Sequence, residues 1–216
     1  MRRRLAIKSL IIVFVILLIF VLSKVYHSMI VNHVLEAIQE FKNEENRAYL
    51  VNIRMNEDIV LQEETLVKQE IIKYTNRKDG LDLNYRWKDF KTNENYFINV
   101  NSKSIYADDE VIQSKNILPN LPNFIAYTSN EETKLSKILK IYYIIPTKYE
   151  NKKCYKIVSR NEVIIIDKET YLPVYASLVT FDNNSNKIEK TYEFKVGEVT
   201  DENVALPDFG DYITAQ

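Results

Sequence analysis

A strict two-residue period runs through the stretch LDLNYRWK, residues 81–88. Leu81, Leu83, Tyr85 and Trp87 are apolar or aromatic, and a polar or charged residue follows each of them. Successive side chains of a strand point to opposite faces of a sheet. The stretch therefore predicts a strand with one buried face and one face in water, which is typical of antiparallel sheets.

The same period recurs along most of the chain. Short runs of polar residues separate several of the alternating segments, at 78–80, 150–153 and 182–186, and such residues form tight turns. Short strands joined by tight turns indicate an antiparallel meander. We predict ten strands, at 48–56, 64–75, 80–88, 95–101, 103–107, 141–149, 153–159, 162–166, 173–181 and 187–197.

The interval 118–140 breaks the alternation. It begins with Pro119 and Pro122, and Ser129 and Glu132 have the spacing of a capping box at a helix start. The interval predicts a loop and a short helix across the sheet, with apolar positions at Leu135, Ile138 and Leu139.

The N-terminus carries an apolar segment that follows a basic cluster. Residues 10–22 are all apolar, and Arg2, Arg3, Arg4 and Lys8 precede them. Together with its flanks the segment provides a helix of about 18 residues, near the lower limit for crossing a bilayer.

Two interpretations of this segment remain open. A basic region before a short apolar run is also the form of a cleaved secretory signal. No Ala-x-Ala site follows the run, and no cysteine follows it that lipid attachment would need. We favour an uncleaved signal-anchor formed by residues 5–24. The positive-inside rule then keeps the basic tip in the cytoplasm and places the rest of the chain outside the cell membrane, as it would for a cleaved signal.

A second helical pattern follows the anchor, within residues 25–43. The apolar residues Val31, Val34, Leu35, Ile38 and Phe41 have the spacing of an amphipathic helix. We expect this helix to continue from the membrane helix, with a break around residues 27 and 28.

Charge and length limit the function of the remainder. Five of the 29 basic residues lie at or before Lys24, whereas all 30 acidic residues follow it, so residues 25–216 carry a formal charge of −6. This charge gives no general attraction to nucleic acid or to anionic lipid. The length suits a single extracytoplasmic domain, with the helix at 25–43 and the meander from residue 44 to 216.

Groups suited to catalysis or metal binding are scarce. His27 and His33 are the only histidines, and their separation of six places them on different faces of a helix. Cys154 is the only cysteine, and the three glycines cannot form a phosphate-binding loop. We therefore expect no enzymatic activity, no metal and no cofactor.

Three arrangements of the meander are compatible with these patterns: a closed barrel, a sandwich, and an open half-barrel covered by helices. The run VIIIDKETYLPV at 163–174, the strand KTYEFKV at 190–196 and the ending at 203–209 resemble the LolA/RseB-like lipoprotein-carrier superfamily. The chain also resembles the spore-germination lipoproteins of Firmicutes that share this half-barrel fold. Glycine is common in that family where Tyr171 stands.

The resemblance implies a mainly β (α+β) fold, a curved open antiparallel half-barrel with one or two helices over its concave face. It also implies a membrane-anchored protein that binds or senses an acyl chain or a lipoprotein in an apolar groove. The alternative is a tethered scaffold for an envelope, spore-wall or germination enzyme, with its groove filled by its own side chains. The expected groove residues are Leu83, Tyr85, Trp87, Tyr96, Ile98, Leu135 and Leu139.

Overall fold

The computed structural model describes residues 2–55, 58–107, 112, 114–129, 142–159, 162–179, 187–206 and 210–215. Its helices are α1 (Arg2–Asn43), α2 (Asn123–Ser129) and α3 (Asp201–Val204). Its strands are β1 (Asn46–Met55), β2 (Asp58–Lys68), β3 (Ile71–Lys78), β4 (Leu81–Asp89), β5 (Glu94–Asn99), β6 (Ser104–Ala107), β7 (Tyr143–Tyr149), β8 (Lys152–Val158), β9 (Glu162–Asp167), β10 (Pro173–Val179), β11 (Lys187–Val196) and β12 (Ile213–Ala215).

All twelve strands belong to one sheet, in the order β12-β6-β5-β4-β3-β2-β1-β11-β10-β9-β8-β7. Two antiparallel meanders, β1 to β6 and β7 to β11, join where β1 pairs with β11. Among the described strands only the short β12 pairs in parallel, with β6. The sheet is curved and does not close into a barrel, so the expected open antiparallel fold is confirmed.

Two details of the predicted strands are wrong. The strand expected at 64–75 is the end of β2 and the start of β3, with a turn at Gln69. Gln69 adopts a positive φ of 53°, and a Gln-Glu turn carries none of the glycine, proline or asparagine signals that mark turns in a sequence. The three-residue β12 was not predicted, because it is too short to show a period.

The predicted turns at 78–80 and 150–153 are confirmed. Asp79 and Gly80 have φ values of 52° and 77°, and Glu150 and Asn151 have 45° and 66°. Positive φ at both central residues matches the twist of the flanking strands in a two-residue hairpin. The turn expected at 182–186 lies outside the described residues.

Helix α1 is continuous over 42 residues, so the break expected around His27 and Ser28 is wrong. The helix contains no proline or glycine to interrupt its hydrogen bonds. In its second half the side chains of Ile30, Val34 and Phe41 are buried in the main core, which fixes this half against the sheet. In contrast, every side chain from Leu10 to Leu22 is at least 45% exposed, and this part of the helix is long and apolar enough to cross a membrane.

The helix α2 was not predicted, and it begins at Asn123 and ends at Ser129. Glu132, the other residue of the expected capping box, lies outside the described residues. The backbone N–H groups of Asn123 and Phe124 donate to the buried carboxylate of Glu162 at 2.9 and 2.8 Å. The carboxylate of Glu162, which lies in strand β9, therefore caps α2 in place of a local side chain. The helix expected at 131–140 lies outside the described residues.

The main core lies on the face of the sheet that packs against α1 and α2, which we term the helix face. Side chains of α1, such as Val34 and Ile38, pack there against Tyr49 and Val51 of β1 and Ile164 of β9. The burial of these apolar side chains joins α1 to both meanders.

A second core lies on the opposite face of the first meander, which we term the back face. It contains Tyr85, Trp87, Ile98 and Ile105. Leu206 and Tyr212 pack against these residues, and the indole N–H of Trp87 donates to the carbonyl oxygen of Val204 at 2.7 Å. The C-terminal segment thus covers the aromatic row that the sequence predicted to be buried.

A pair of buried tyrosines in the main core provides a test of its hydrogen bonding. The hydroxyl of Tyr49 has no hydrogen-bond partner among the described residues, whereas that of Tyr192 donates to the carbonyl oxygen of Asn120 at 3.2 Å. We expect Tyr49→Phe to leave the free energy of unfolding unchanged or to raise it by about 1 kcal/mol, and Tyr192→Phe to lower it by about 1 kcal/mol. Urea titration of both full-length variants checks this.

The pH dependence of the free energy of unfolding at alkaline pH tests the same two tyrosines a second time. Burial raises the pKa of both tyrosines above the usual value. The unfolded chain therefore releases protons above about pH 10 that the folded protein retains, and stability falls as the pH rises beyond that point. Tyr49→Phe should reduce this alkaline loss. A larger loss of stability in Tyr49→Phe than in Tyr192→Phe at pH 7 would contradict the assignment.

Candidate functional site: a cleft on the helix face

A row of side chains crosses the first meander on the helix face. Strand pairing places Tyr49 opposite Thr65, Thr65 opposite Tyr74, Tyr74 opposite Arg86, and Arg86 opposite Phe97. Directly paired residues of antiparallel strands project to the same face. The row therefore runs from the main core at β1 outward to the more polar strands β4 and β5.

Ile112 and residues 114–122, which we together term the strap, lie over this row. Ile112 is buried against Val67 and Ile72 of β2 and β3, and Leu118 belongs to the main core. The strap therefore contacts the sheet at both of its ends.

Asn120 joins the strap to the sheet through several hydrogen bonds. Its side-chain amide donates to the carboxylate of Glu63, a buried residue of β2. Lys190 of β11 donates to the side-chain oxygen of Asn120 at 3.1 Å, and Tyr192 donates to its carbonyl oxygen. Asn120 adopts a φ of 57°, in the left-handed region that asparagine tolerates better than most residues.

Arg47 connects the strap to the end of α1. This side chain is 2% exposed, and its guanidinium donates to the carbonyl oxygens of Glu44 and Lys115. Burial lowers the pKa of Arg47, while the charge of Glu44 opposes this effect. The guanidinium of Arg47 thus holds both the loop that follows α1 and the segment that follows β6.

Between the strap and the sheet lies a cavity of about 220 Å³, which we term the cleft. Apolar side chains of the sheet and the strap form most of its wall, and three polar residues of the row described above complete it. The lining residues are Thr65, Ile72, Tyr74, Arg86, Ile112, Ile117 and Pro119.

The polar residues of the cleft differ in their environments. The hydroxyl of Thr65 is buried and has no partner among the described residues. Burial, and then the nearby charge and hydrogen bond of Glu63, raise the pKa of Tyr74, so this tyrosine stays protonated at neutral pH. The exposed guanidinium of Arg86 lies over the ring of Phe97, 5.6 Å from its centre. The cleft therefore combines an apolar wall, an unpaired hydroxyl and a cation at its exposed side, which suits an amphipathic molecule with an anionic group.

The structure places four of the expected groove residues elsewhere. Tyr85, Trp87, Tyr96 and Ile98 lie together on the back face, in or against the second core. Leu83 lies at an irregularity in the pairing of β4 with β3. The other two expected residues, Leu135 and Leu139, lie outside the described residues. A ligand-binding role for these seven side chains stays a prediction.

Sequence reasoning did not select Thr65, Tyr74 and Arg86. A signal existed for Arg86, because it stands between Tyr85 and Trp87 in the alternating stretch and must face the other side of the sheet. Pairing across β3 and β2 then selects Tyr74 and Thr65. What the sequence could not provide is the position of the strap over this face.

Other groups that commonly carry chemistry are not assembled in the described part of the chain. No group of three or more His, Cys, Asp or Glu side chains there could hold a metal ion. Cys154 is fully buried in β8, and burial, together with the charge of Asp167, raises the pKa of its thiol. A thiol in this state is a poor nucleophile at neutral pH.

The fold is similar to several solved structures at low sequence identity. An uncharacterized conserved protein from Thermus thermophilus is 11% identical, with a TM-score of 0.48, over 85% of this chain and 97% of that one. MucB in complex with MucA is 8% identical, with a TM-score of 0.41, over 84% of this chain and 61% of that one. A LolA superfamily protein from Nitrosomonas europaea is 11% identical, with a TM-score of 0.29, over 82% of this chain and 97% of that one.

The chain therefore spans about three fifths of the length of MucB. No protein-family model and no curated protein sequence matches the chain. The similarity to LolA/RseB-like proteins that was expected from the sequence is found.

Proposed function

We propose that this protein is a non-enzymatic, membrane-anchored binding protein whose cleft accepts the end of an acyl chain or of a lipoprotein. The cavity of about 220 Å³ between the strap and the sheet is the observation that carries the proposal. Helix α1 supplies the anchor through residues 5–24, and the sheet domain then lies outside the cell membrane.

The size of the cavity limits what it accepts. Pockets for complete small molecules usually measure about 300–1,000 Å³, so a cavity of about 220 Å³ encloses only part of a long chain. The apolar wall formed by Ile72, Ile112 and Ile117 suits methylene groups. Arg86 at the exposed side suits a phosphate or carboxylate of the same molecule.

A variant at the exposed side of the cleft tests lipid binding. Ile117 is 40% exposed and contributes to the cleft wall, so Ile117→Asp places a charge there without opening a core. We expect the purified full-length protein to carry an acyl lipid in native mass spectrometry, and Ile117→Asp to reduce this occupancy about tenfold or more. The matched control is Leu81→Asp, since Leu81 is 72% exposed and lies at the start of β4, away from the cleft.

The two variants give distinct outcomes. Lipid retained by Leu81→Asp and lost by Ile117→Asp would support the cleft as the binding site. Equal retention by both variants would place the lipid elsewhere on the protein. An unliganded mass for the unmodified protein, with no uptake of added fatty acid or lipopeptide, would contradict the lipid hypothesis.

A second candidate function is a tethered scaffold for an envelope, spore-wall or germination enzyme. It is favoured by the back face, where the C-terminal residues Leu206 and Tyr212 fill the space over Tyr85 and Trp87. A sheet whose faces are filled by its own chain has less room for a ligand and presents its surface to another protein. The unliganded outcome above, followed by crosslinking of the anchored protein in its native membrane, distinguishes this function.

A further inference from the structure

The first strand of the second meander lies beside the point where α1 leaves its apolar segment. The ammonium of Lys24 is 5.4 Å from the ring centre of Tyr142 and 6.0 Å from that of Tyr143. The ring centre of His27 lies 6.2 Å from that of Tyr142. Strand β7 therefore begins at the level of helix residues 24–27.

The next strand shows how β7 continues. Tyr155 of β8 pairs with Pro146 of β7, and nearby Tyr26 raises the pKa of Tyr155. The ring of Tyr155 also lies 6.3 Å from that of Tyr171, which lies 5.0 Å from the ring of His33. The middle of β7 therefore lies beside helix residues 26–33, and the start of the strand is the part nearest to the exit of α1.

The rise of the helix converts these contacts into a height above the bilayer. With residues 5–24 in the hydrocarbon, each further residue adds about 1.5 Å along the axis, so His27 lies about 5 Å above its boundary. The headgroup layer on each side is about 5–8 Å thick. The start of β7, held at the level of residues 24–27, is therefore within the headgroup layer.

The side chains at this height are unusually apolar for a surface. Tyr143 and Ile145 are 61% and 51% exposed, and Tyr26 and Met29 of α1 are 48% and 54% exposed. Tyrosine is enriched where membrane proteins cross the headgroup layer, because its ring is apolar and its hydroxyl is polar. Adjacent exposed apolar side chains on a domain surface mark a contact with a membrane or a partner.

The charge of the β7–β8 hairpin favours an anionic membrane as that contact. The hairpin carries Lys148, Lys152, Lys153 and Lys156 against one carboxylate, Glu150, although residues 25–216 as a whole are acidic. Lys152 forms an ion pair of 3.6 Å with Asp167 of β9, which leaves the other three lysines against that one carboxylate. Lysines close to a membrane surface are attracted to anionic lipids.

We propose that the edge formed by β7, together with Tyr26 and Met29, is a membrane-contact surface that lies in the anionic headgroup layer of the bilayer crossed by α1. This inference rests on the anchor assigned under the proposed function. It adds a second contact with the same membrane, made by the sheet.

Nitroxide labels on the full-length protein in vesicles measure this contact. Cys154 is replaced by alanine, and single cysteines are introduced at Tyr143 and Ile145, at Leu81 as an exposed apolar control, and at Leu17 within the anchor. The vesicles contain 70% phosphatidylcholine and 30% phosphatidylglycerol. Collision rates with oxygen and with a water-soluble nickel complex give the depth of each label.

We expect the nickel collision rates at positions 143 and 145 to be at least threefold lower than at position 81. They should rise when phosphatidylglycerol is omitted. Equal nickel rates at 143 and 81, with the label at 17 inaccessible to nickel, would overturn the contact surface and leave the anchor intact. A label at 17 that is accessible to nickel would overturn the anchor and the contact surface together.

Discussion

Trp87→Ala is expected to lower the free energy of unfolding by about 3–5 kcal/mol, the range observed when a buried tryptophan or phenylalanine is truncated. Trp87 is 6% exposed and packs with Tyr85, Ile98 and Tyr96. Truncation leaves a cavity in the second core, and it also removes the indole donor to the carbonyl oxygen of Val204. Urea titration of the full-length protein in detergent, followed by circular dichroism, measures the change.

A conservative variant separates packing from hydrogen bonding at this position. Trp87→Phe keeps an aromatic ring in the core but cannot donate to Val204, so we expect a smaller loss than for alanine. The two variants should also loosen the C-terminal segment, because Val204 and Leu206 contact the same core. A near-neutral Trp87→Ala would mean that the back face is not a packed core, and that the alternation of residues 81–88 faces the other way.

Arg47→Ala is expected to lower the free energy of unfolding by about 3 kcal/mol. The buried guanidinium donates to the carbonyl oxygens of Glu44 and Lys115, and a hydrogen bond to a charged group contributes about 1.5–3 kcal/mol. Arg47→Met retains much of the side-chain volume, so a loss close to that of alanine would assign the effect to the hydrogen bonds. Arg54→Ala in the same strand is the control, because Arg54 is exposed and its loss should stay within about 0.5 kcal/mol.

Amide hydrogen exchange in the strap measures the local effect of Arg47. Since Arg47 holds the carbonyl of Lys115, its removal should speed amide hydrogen exchange in residues 114–120 more than in β9. It should also weaken lipid retention in the cleft, because the strap forms one wall of that cavity. Unchanged exchange in the strap, together with a stability loss, would show that Arg47 acts only on the end of α1.

The sequence predicted the local elements well because their signals are local. The alternation at 81–88 predicted the buried side of β4 correctly at Tyr85 and Trp87, and Arg86 between them is exposed, whereas Leu81 at the start of the row is 72% exposed. The asparagine and glycine residues at the hairpins placed two turns correctly. The turn at Gln69 escaped notice because nothing in a Gln-Glu pair favours a positive φ strongly enough to be recognised.

The position of the cleft could not be predicted, because it depends on pairing between distant parts of the chain. Alternation separates two faces of a strand but does not say which face α1 will cover. That choice follows from the pairing of β1 with β11, about 140 residues apart, and from contacts such as Asn120 with Glu63. The aromatic row of β4 was therefore assigned to a groove, whereas the C-terminal segment packs over it.

If residues 5–24 anchor the protein as proposed, the unbroken helix α1 sets how far the domain can reach for the proposed ligand. A flexible linker of ten residues would allow a tethered domain to move over about 15–20 Å. Helix α1 enters the core at Ile30 without a hinge, so it does not allow this movement. Under the proposed anchoring, the domain would therefore keep a constant height above the bilayer and encounter other molecules by lateral diffusion in two dimensions. Its neighbours in the same membrane are present at a high effective concentration, while molecules beyond the reach of the rigid domain are never met.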